Sequence, residues 1–353
     1  MHGVARRCNE EHELLVVPKA PRAHCPSQSP RVWNLYSIKN NKLLPLPFQV
    51  PYVDRFVGSS KGWLVTVDDN LVVRLLNPLC LVPGKQIGYD PNTYITLPPL
   101  DPPCSVFNHI RKVVLSANLT SSHDDYMAIF GADHHVAYIR TNKEKEWTYV
   151  HHNWGILHDL IYYRDCFCAI NYNSEVIYFN MADRSFFKYL PINCNVNLEN
   201  FETKNFVKSL AGELLLIERI KRWDWHGKLG CNYTKGAEIW NLKLDSEGWE
   251  WREMKSIRDC ALFVGDNISL SVAASDFCGC QPNCIYFIDD YENFLYPSMI
   301  LENSYALKYA KDVGVYNMET RSFTPYDTAK DDVWLVDTTK LRIVPSFVVY
   351  EPA

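Results

Sequence analysis

The chain has 353 residues, 47% of them apolar and 13% aromatic, and a net charge of −5. That length and apolar content suffice for two average domains or one large repeat domain. The acidic balance argues against a nucleic-acid binder, which needs a basic surface, and no apolar run is long enough to predict a membrane-crossing helix.

The first residues, MHGVARRCNEEHELLVV, place acidic groups ahead of a short apolar run, unlike a secretory signal. The 12 cysteines therefore read as reduced thiols of a cytoplasmic or nuclear protein, not a secreted one. Pro18, Pro21, Pro26 and Pro30 mark residues 1–30 as a Pro-rich, poorly ordered tail. A single domain is expected over 31–353.

From Arg31 onward the pattern is strand after strand, opening with a hairpin at Val32–Pro47. Five four-stranded repeats then follow. The first runs Arg55–Ser59, Gly62–Val67, Leu71–Asn77 and Tyr94–Leu100. The second runs Ile110–Ser116, Tyr126–Phe130, Val136–Arg140 and Glu146–Val150. The third runs Ile156–Tyr163, Cys166–Asn171, Glu175–Asn180 and Ser185–Leu190. The fourth runs Asn205–Ser209, Glu213–Ile220, Glu238–Leu244 and Trp249–Met254. The fifth runs Ile268–Ala274, Asn283–Asp289, Val313–Met318 and Ser322–Tyr326. A last hairpin reads at Val333–Tyr350.

The clearest repeated unit is an apolar strand, a polar turn and an aromatic-rich strand, as in Glu175–Pro191 (EVIYFNMADRSFFKYLP) and Val313–Tyr326 (VGVYNMETRSFTPY). A hairpin cannot bury its apolar face alone, so such units must stack on one another. Runs of small residues close the first strands, such as Gly58-Ser59-Ser60 and Ser209-Leu210-Ala211-Gly212. They suit an innermost strand crowded near an axis. The fold class expected is all-β, a β-propeller of four-stranded antiparallel blades. Six blades are expected, within a range of five to seven, with the N- and C-terminal hairpins sharing one blade and leaving no open edge.

Several segments resemble a known family. Gly58–Pro78 (GSSKGWLVTVDDNLVVRLLNP) with Leu97–Leu100, Ser209–Glu218 (SLAGELLLIE), Ala261–Asp290 and Asp312–Met318 resemble, in order, the plant KIB-type β-propeller. That resemblance implies a propeller that holds a client protein, usually behind an F-box that docks on a cullin–RING ubiquitin ligase. An F-box is three helices, which need about 40 residues, and only the tail precedes Arg31. Docking on the ligase's Skp-type linker is therefore not expected. The partner is an unknown client protein.

Chemistry candidates are sparse. Cys278, Cys280 and Cys284 could supply thiolates to a structural metal. They lack a CxxC pair and a nearby His, so reduced thiols in a turn are the first reading. His134-His135, His151-His152 and His123-Asp124-Asp125 show no nucleophile oriented by a base. There is no phosphate loop and no nucleophile elbow. No cofactor is expected, and protein binding is expected ahead of catalysis. The alternative is a propeller enzyme acting on a sugar or small ligand in the axial channel, which would need converging carboxylates.

Two insertions stand between second and third strands, at 221–236 and 290–311. Both would emerge on the same rim. They carry Arg222, Trp223, Trp225, Tyr233, Tyr291, Phe294 and Tyr296, the residue types that dominate binding energetics. Either they form a client surface or they fold back as a cap over their blades.

Overall fold

The structure, a computed structural model, describes residues 14–18, 31–37, 42–50, 55–61, 63–68, 70–76, 94–100, 110–117, 119, 126–131, 136–141, 143–150, 154–155, 157–181, 185–189, 201–226, 229–245, 248–265, 269–276, 280–287, 314–325 and 344–345. Apart from one short 3-10 turn, the regular structure in these residues is strand. The chain divides into two compact units, the first built from 1–152, 277–279 and 328–353, the second from 153–276 and 280–327.

Among the described residues the first unit holds three sheets. One joins β1 (Leu14–Pro18), β2 (Arg31–Ser37) and β3 (Lys42–Val50) to β25 (Val344–Pro345) in the order β25-β1-β2-β3. Leu15 faces Pro345 and Val16 faces Val344, so strands from opposite chain ends do share one sheet. The C-terminal strand sits beside Leu14–Pro18, however, and not beside the Val32–Pro47 hairpin. The apolar run Leu14–Val17 is a strong strand former and takes the place next to β2. Strand structure thus begins inside the segment expected as a tail. The rest of the Val333–Tyr350 hairpin lies outside the described residues.

The other two sheets are meanders. One is β4 (Arg55–Ser60), β5 (Trp63–Val67), β6 (Val72–Leu76) and β7 (Tyr94–Pro99). The other is β8 (Ile110–Leu115), β9 (Tyr126–Gly131), β10 (Val136–Arg140) and β11 (Thr148–Val150). They pack face to face around Trp63, Val65, Leu75, Val113, Met127 and Ile139. β5 is buried at every position, as a central strand covered on both faces must be.

The second unit holds two more meanders. They are β12 (Leu157–Tyr163), β13 (Cys166–Asn171), β14 (Val176–Phe179) and β15 (Phe186–Tyr189), then β16 (Phe201–Lys208), β17 (Leu214–His226), β18 (Leu229–Asp245) and β19 (Gly248–Met254). Arg164 and Asp165, both at positive φ, make the tight turn from β12 to β13. The start of β17 shows why the run Leu214–Ile217 is uniformly apolar. Leu214 and Leu216 pack toward β12–β15, while Leu215 and Ile217 pack on the opposite face against the next sheet.

That next sheet corrects the expected fifth repeat. It has five strands, ordered β21-β20-β22-β23-β24: β20 (Cys260–Val264), β21 (Ser269–Ala273), β22 (Cys284–Phe287), β23 (Gly314–Asn317) and β24 (Ser322–Pro325). β20 slips between the expected first and second strands, antiparallel to β21 and parallel to β22. Its run CALFV is almost wholly buried, and insertion between two strands satisfies both of its backbone edges.

The first strands of successive sheets lie side by side: β4 beside β8 in one unit, and β12 beside β16 beside β21 in the other. No ladder joins them, so side chains satisfy their facing edges. Ser60 Oγ accepts from Leu115 N at 3.0 Å. His158 Nδ1 accepts from Lys204 N at 3.2 Å, and Asp159 Oδ2 from Phe206 N at 2.6 Å. A register shift between Leu157 and Asp159 places these two consecutive residues to serve alternate N–H groups of β16.

The small-residue runs also serve the turns. They sit at the ends of first strands and in the turns that follow. Ser209 Oγ accepts from Glu213 N across one such turn, whose Gly212 has φ of 79°. Ser116 Oγ accepts from Tyr126 N at the start of β9. Small hydroxyl residues close these turns locally.

Candidate functional site

The insertion at 221–236 is not a loop. It continues β17 and β18 as a hairpin that runs past both neighbouring strands. β16 pairs with β17 only as far as Phe201 opposite Lys221, and β19 pairs with β18 only as far as Met254 opposite Ile239. Beyond those points Arg222 faces Tyr233, Trp223 faces Asn232, Asp224 faces Cys231 and Trp225 faces Gly230. Alternating polar and aromatic residues around a Gly-containing tip favour this arrangement.

The root of the hairpin is packed. A register shift between Ile220 and Lys221 leaves Lys235 as the extra residue of the bulge. Lys221 and Thr234 are buried there, while Arg222 and Lys235 are exposed. Buried Arg219 donates from Nε to Thr234 Oγ1 at 2.6 Å, and its guanidinium lies 4.2 Å from the centre of the Phe287 ring. Phe287 ends β22, from which the chain continues toward the 290–311 insertion. The hairpin is thereby anchored to the sheet that carries that second insertion.

On its other side the root meets a polar cluster. Lys204 and Glu218 form a buried ion pair at 3.8 Å. Glu218 also accepts from Trp240 Nε1 at 3.0 Å and from Ser174 Oγ at 3.5 Å. Lys204 Nζ donates to the Tyr172 carbonyl at 3.5 Å and lies 5.8 Å from its ring centre. Tyr172 belongs to the β13–β14 turn and is 43% exposed, one of two large apolar residues so exposed among those described. The turn and the hairpin therefore rise at the same end of their two sheets. Neither Tyr172 nor this ion pair was singled out by the sequence reading. The signal for Glu218 and Arg219 was two charges directly following the apolar run Leu214–Ile217.

Of the seven residues expected at the rim, the structure places four on one hairpin. Arg222 and Tyr233 are cross-strand partners. Trp223 and Trp225 occupy the alternate register positions of β17. Tyr291, Phe294 and Tyr296 lie outside the described residues, as does the rest of 290–311.

Cys284 opens β22, is buried, and sits 3.8 Å from Gln281 Oε1. Burial pushes its thiol up, which disfavours the thiolate that a metal would need. Cys280 is half-buried and Cys278 lies outside the described residues. Among the described residues no three His, Cys, Asp or Glu side chains stand close enough to hold a metal ion. The buried carboxylates among them are Asp159 and Glu218, both engaged in the contacts above. No helix among them is long and apolar enough to cross a membrane.

Comparison with known proteins gives the fold its context. F-box protein At4g35733 of Arabidopsis thaliana is 23% identical over 251 residues, covering 65% of this chain and 66% of that one. F-box protein At2g26160 is 21% identical over 170 residues, covering 47% and 50%. F-box protein At2g17690, from the same plant, is 41% identical over 59 residues, which are 17% of this chain and 14% of that one. The chain thus spans between about half and two thirds of the curated relatives it matches at length. Among solved structures it is similar to the beta-propeller domain of Cps50 (Swd1) from Myceliophteria thermophila, at 11% identity and a TM-score of 0.35, over 65% of this chain and 86% of that one. The family model of the KIB1-4 beta-propeller matches residues 35–317. That match takes in every complete meander described above, and the chain belongs to the KIB1-4 beta-propeller family.

Proposed function

We propose that this propeller is a client-recognition module of the kind F-box ubiquitin-ligase receptors use, and that it holds its client at the end of the second unit where the β17–β18 hairpin stands. The observation that carries this reading is the hairpin itself. It leaves the packed sheet within one residue, from buried Lys221 to exposed Arg222, and it bears Arg222, Trp223, Trp225 and Tyr233. Exposed Tyr172 rises at the same end. Arg, Trp and Tyr are the residues that most often dominate protein interfaces. Relatives that are F-box proteins support a non-enzymatic role, and so does the engagement of the buried carboxylates in structural bonds.

The test is recovery of partners from plant extract with the tagged chain and with a variant in which 222–233 is replaced by a two-residue turn. Partners held by the first and lost by the second, with the melting temperature unchanged, support the site. An identical partner set from both overturns it.

A further inference from the structure

We propose that Thr324 is a phosphorylation site for a proline-directed Ser/Thr kinase, presented to that enzyme on the last strand of the five-stranded sheet. Three observations lead to it.

The first is the sequence of the strand. β24 reads Ser322-Phe323-Thr324-Pro325. Proline fixes its own φ, biases the residue before it toward an extended backbone and has no N–H to strand in a binding groove. A kinase groove takes its substrate extended, so Thr324 already holds the backbone it needs. Ser29-Pro30 is the other Ser/Thr-Pro pair in the chain and lies outside the described residues.

The second is exposure. Of the strands whose burial is described at every position, β24 alone has exposed positions: Ser322, Thr324 and Pro325. Among the described residues it pairs with β23 alone, from Asn317 opposite Ser322 to Gly314 opposite Pro325. So short a strand at the end of a sheet opens locally for far less than the cost of global unfolding.

The third is the choice of hydroxyl. Thr320 Oγ1 and Ser322 Oγ are bonded to each other at 2.7 Å, whereas the Thr324 hydroxyl makes no hydrogen bond among the described residues. Phe323 turns into the core, its ring centre 6.4 Å from that of Phe287. Thr324 is the next residue along the strand and turns the other way. A phosphate there adds a charge of about −2 to a solvated face and leaves the Phe323 packing in place.

The chemistry is one phosphoryl transfer from ATP. Thr324 Oγ bonds to the γ-phosphorus, the bond from that phosphorus to the β–γ bridging oxygen breaks, and ADP leaves. The hydroxyl proton passes to the kinase's catalytic carboxylate.

The experiment incubates the whole folded chain with radiolabelled ATP and a purified mitogen-activated protein kinase. A synthetic peptide of residues 319–328 runs beside it, and labelled sites are located by peptide mapping. The expected result is label on Thr324 in both. Thr324→Val should abolish that label and leave the melting temperature unchanged. Pro325→Ala should slow labelling about tenfold or more, the scale on which one apolar group is discriminated in an enzyme pocket. Label on the peptide but not on the folded chain overturns the proposal, because β24 then does not open to the kinase. Label on the chain at Ser29 or elsewhere but not at Thr324 overturns it, as does the absence of label on both substrates. Thr324 labelled as fast in Pro325→Ala as in the unaltered chain overturns it too, since Pro325 would then not direct the kinase.

Discussion

Asp159 offers the sharpest test of how neighbouring sheets in the second unit are held together. Its carboxylate is buried, accepting from Phe206 N at 2.6 Å and from Leu160 N at 2.7 Å. The first bond crosses from β12 to β16, where no ladder exists. A hydrogen bond to a charged group contributes about 1.5–3 kcal/mol, and an orphaned buried N–H costs about 1–3 kcal/mol. Asp159→Ala removes both bonds and orphans Phe206 N, so a loss of about 3–6 kcal/mol is expected. Asp159→Asn keeps the shape and one acceptor oxygen. Its amide must then face one of the two N–H donors, and a loss of about 2–3 kcal/mol is expected. Whole-protein stabilities are commonly about 5–15 kcal/mol, so both effects are large. Urea unfolding followed by tryptophan fluorescence measures them, and amide exchange at Phe206 reports the specific bond. If Asp159→Asn left stability within about 0.5 kcal/mol and the Phe206 amide remained protected, the idea that side chains replace the missing ladder would be wrong.

Four further outcomes are expected. In Gly314→Ala the new Cβ would meet the Thr324 carbonyl oxygen on the paired strand, with Phe323 Cζ at 2.7 Å and Pro325 Cα at 2.8 Å. Overpacking of this kind costs about 1–3 kcal/mol, read as a lower melting temperature; an unchanged one would mean β24 can move away freely. Burial pushes Tyr286 up to about 12, only partly offset by the hydrogen bond from Gln281 N. The folded state then holds this proton longer than the unfolded chain, so stability falls as pH rises from about 10 toward 12. In Tyr286→Phe that part of the alkaline loss should vanish, as paired urea titrations at pH 9 and 11 would reveal. Burial, reinforced by neighbouring Cys166, holds the Cys168 thiol well above its ordinary value. Iodoacetamide at pH 8 should therefore spare Cys168 in the folded chain, and prompt labelling located by peptide mapping would contradict its burial. Trp223→Ala with Trp225→Ala should reduce client binding by about 30- to 1,000-fold with little change in melting temperature. A sharp fall in melting temperature would instead make these residues a cap, since truncating a buried Trp costs about 3–5 kcal/mol.

The repeat units were legible because strand periodicity and turn chemistry agree within them. In Val176–Phe179 and Gly314–Asn317 buried positions alternate with half-buried ones along part or all of the strand, and the following Met181 and Met318 are both buried. Strand β20 was missed because CALFV shows no alternation. A strand inserted between two others and buried on both faces looks the same as any apolar run. Its parallel pairing with β22 depends on residues far apart in sequence. The hairpin was half-read. The segment Lys221–Gly236 was recognised as an insertion rich in interface residues, yet Trp223-Asp224-Trp225 already alternates as a strand does, with Gly227 and Gly230 to permit the turn. Tyr172 could not be picked out, because 21 tyrosines look alike until burial separates them.

The register of the hairpin constrains how its residues can act. Side chains at alternate positions of a strand point to opposite faces. Along β17, Leu214, Leu216 and Glu218 serve the side of β12–β15, where Lys204 and Tyr172 lie. Leu215, Ile217 and Arg219 serve the side of β20–β24, where Phe287 lies. Arg222 continues the first series in register, and Trp223 and Trp225 continue the second. A partner lying flat on one face could not engage both series at once. A double-mutant comparison makes this concrete. Arg222→Ala and Trp223→Ala should each weaken client recovery, with losses that add, because residues on opposite faces of one strand share no partner atom; a loss with only one of the two would mean a client seated on one face.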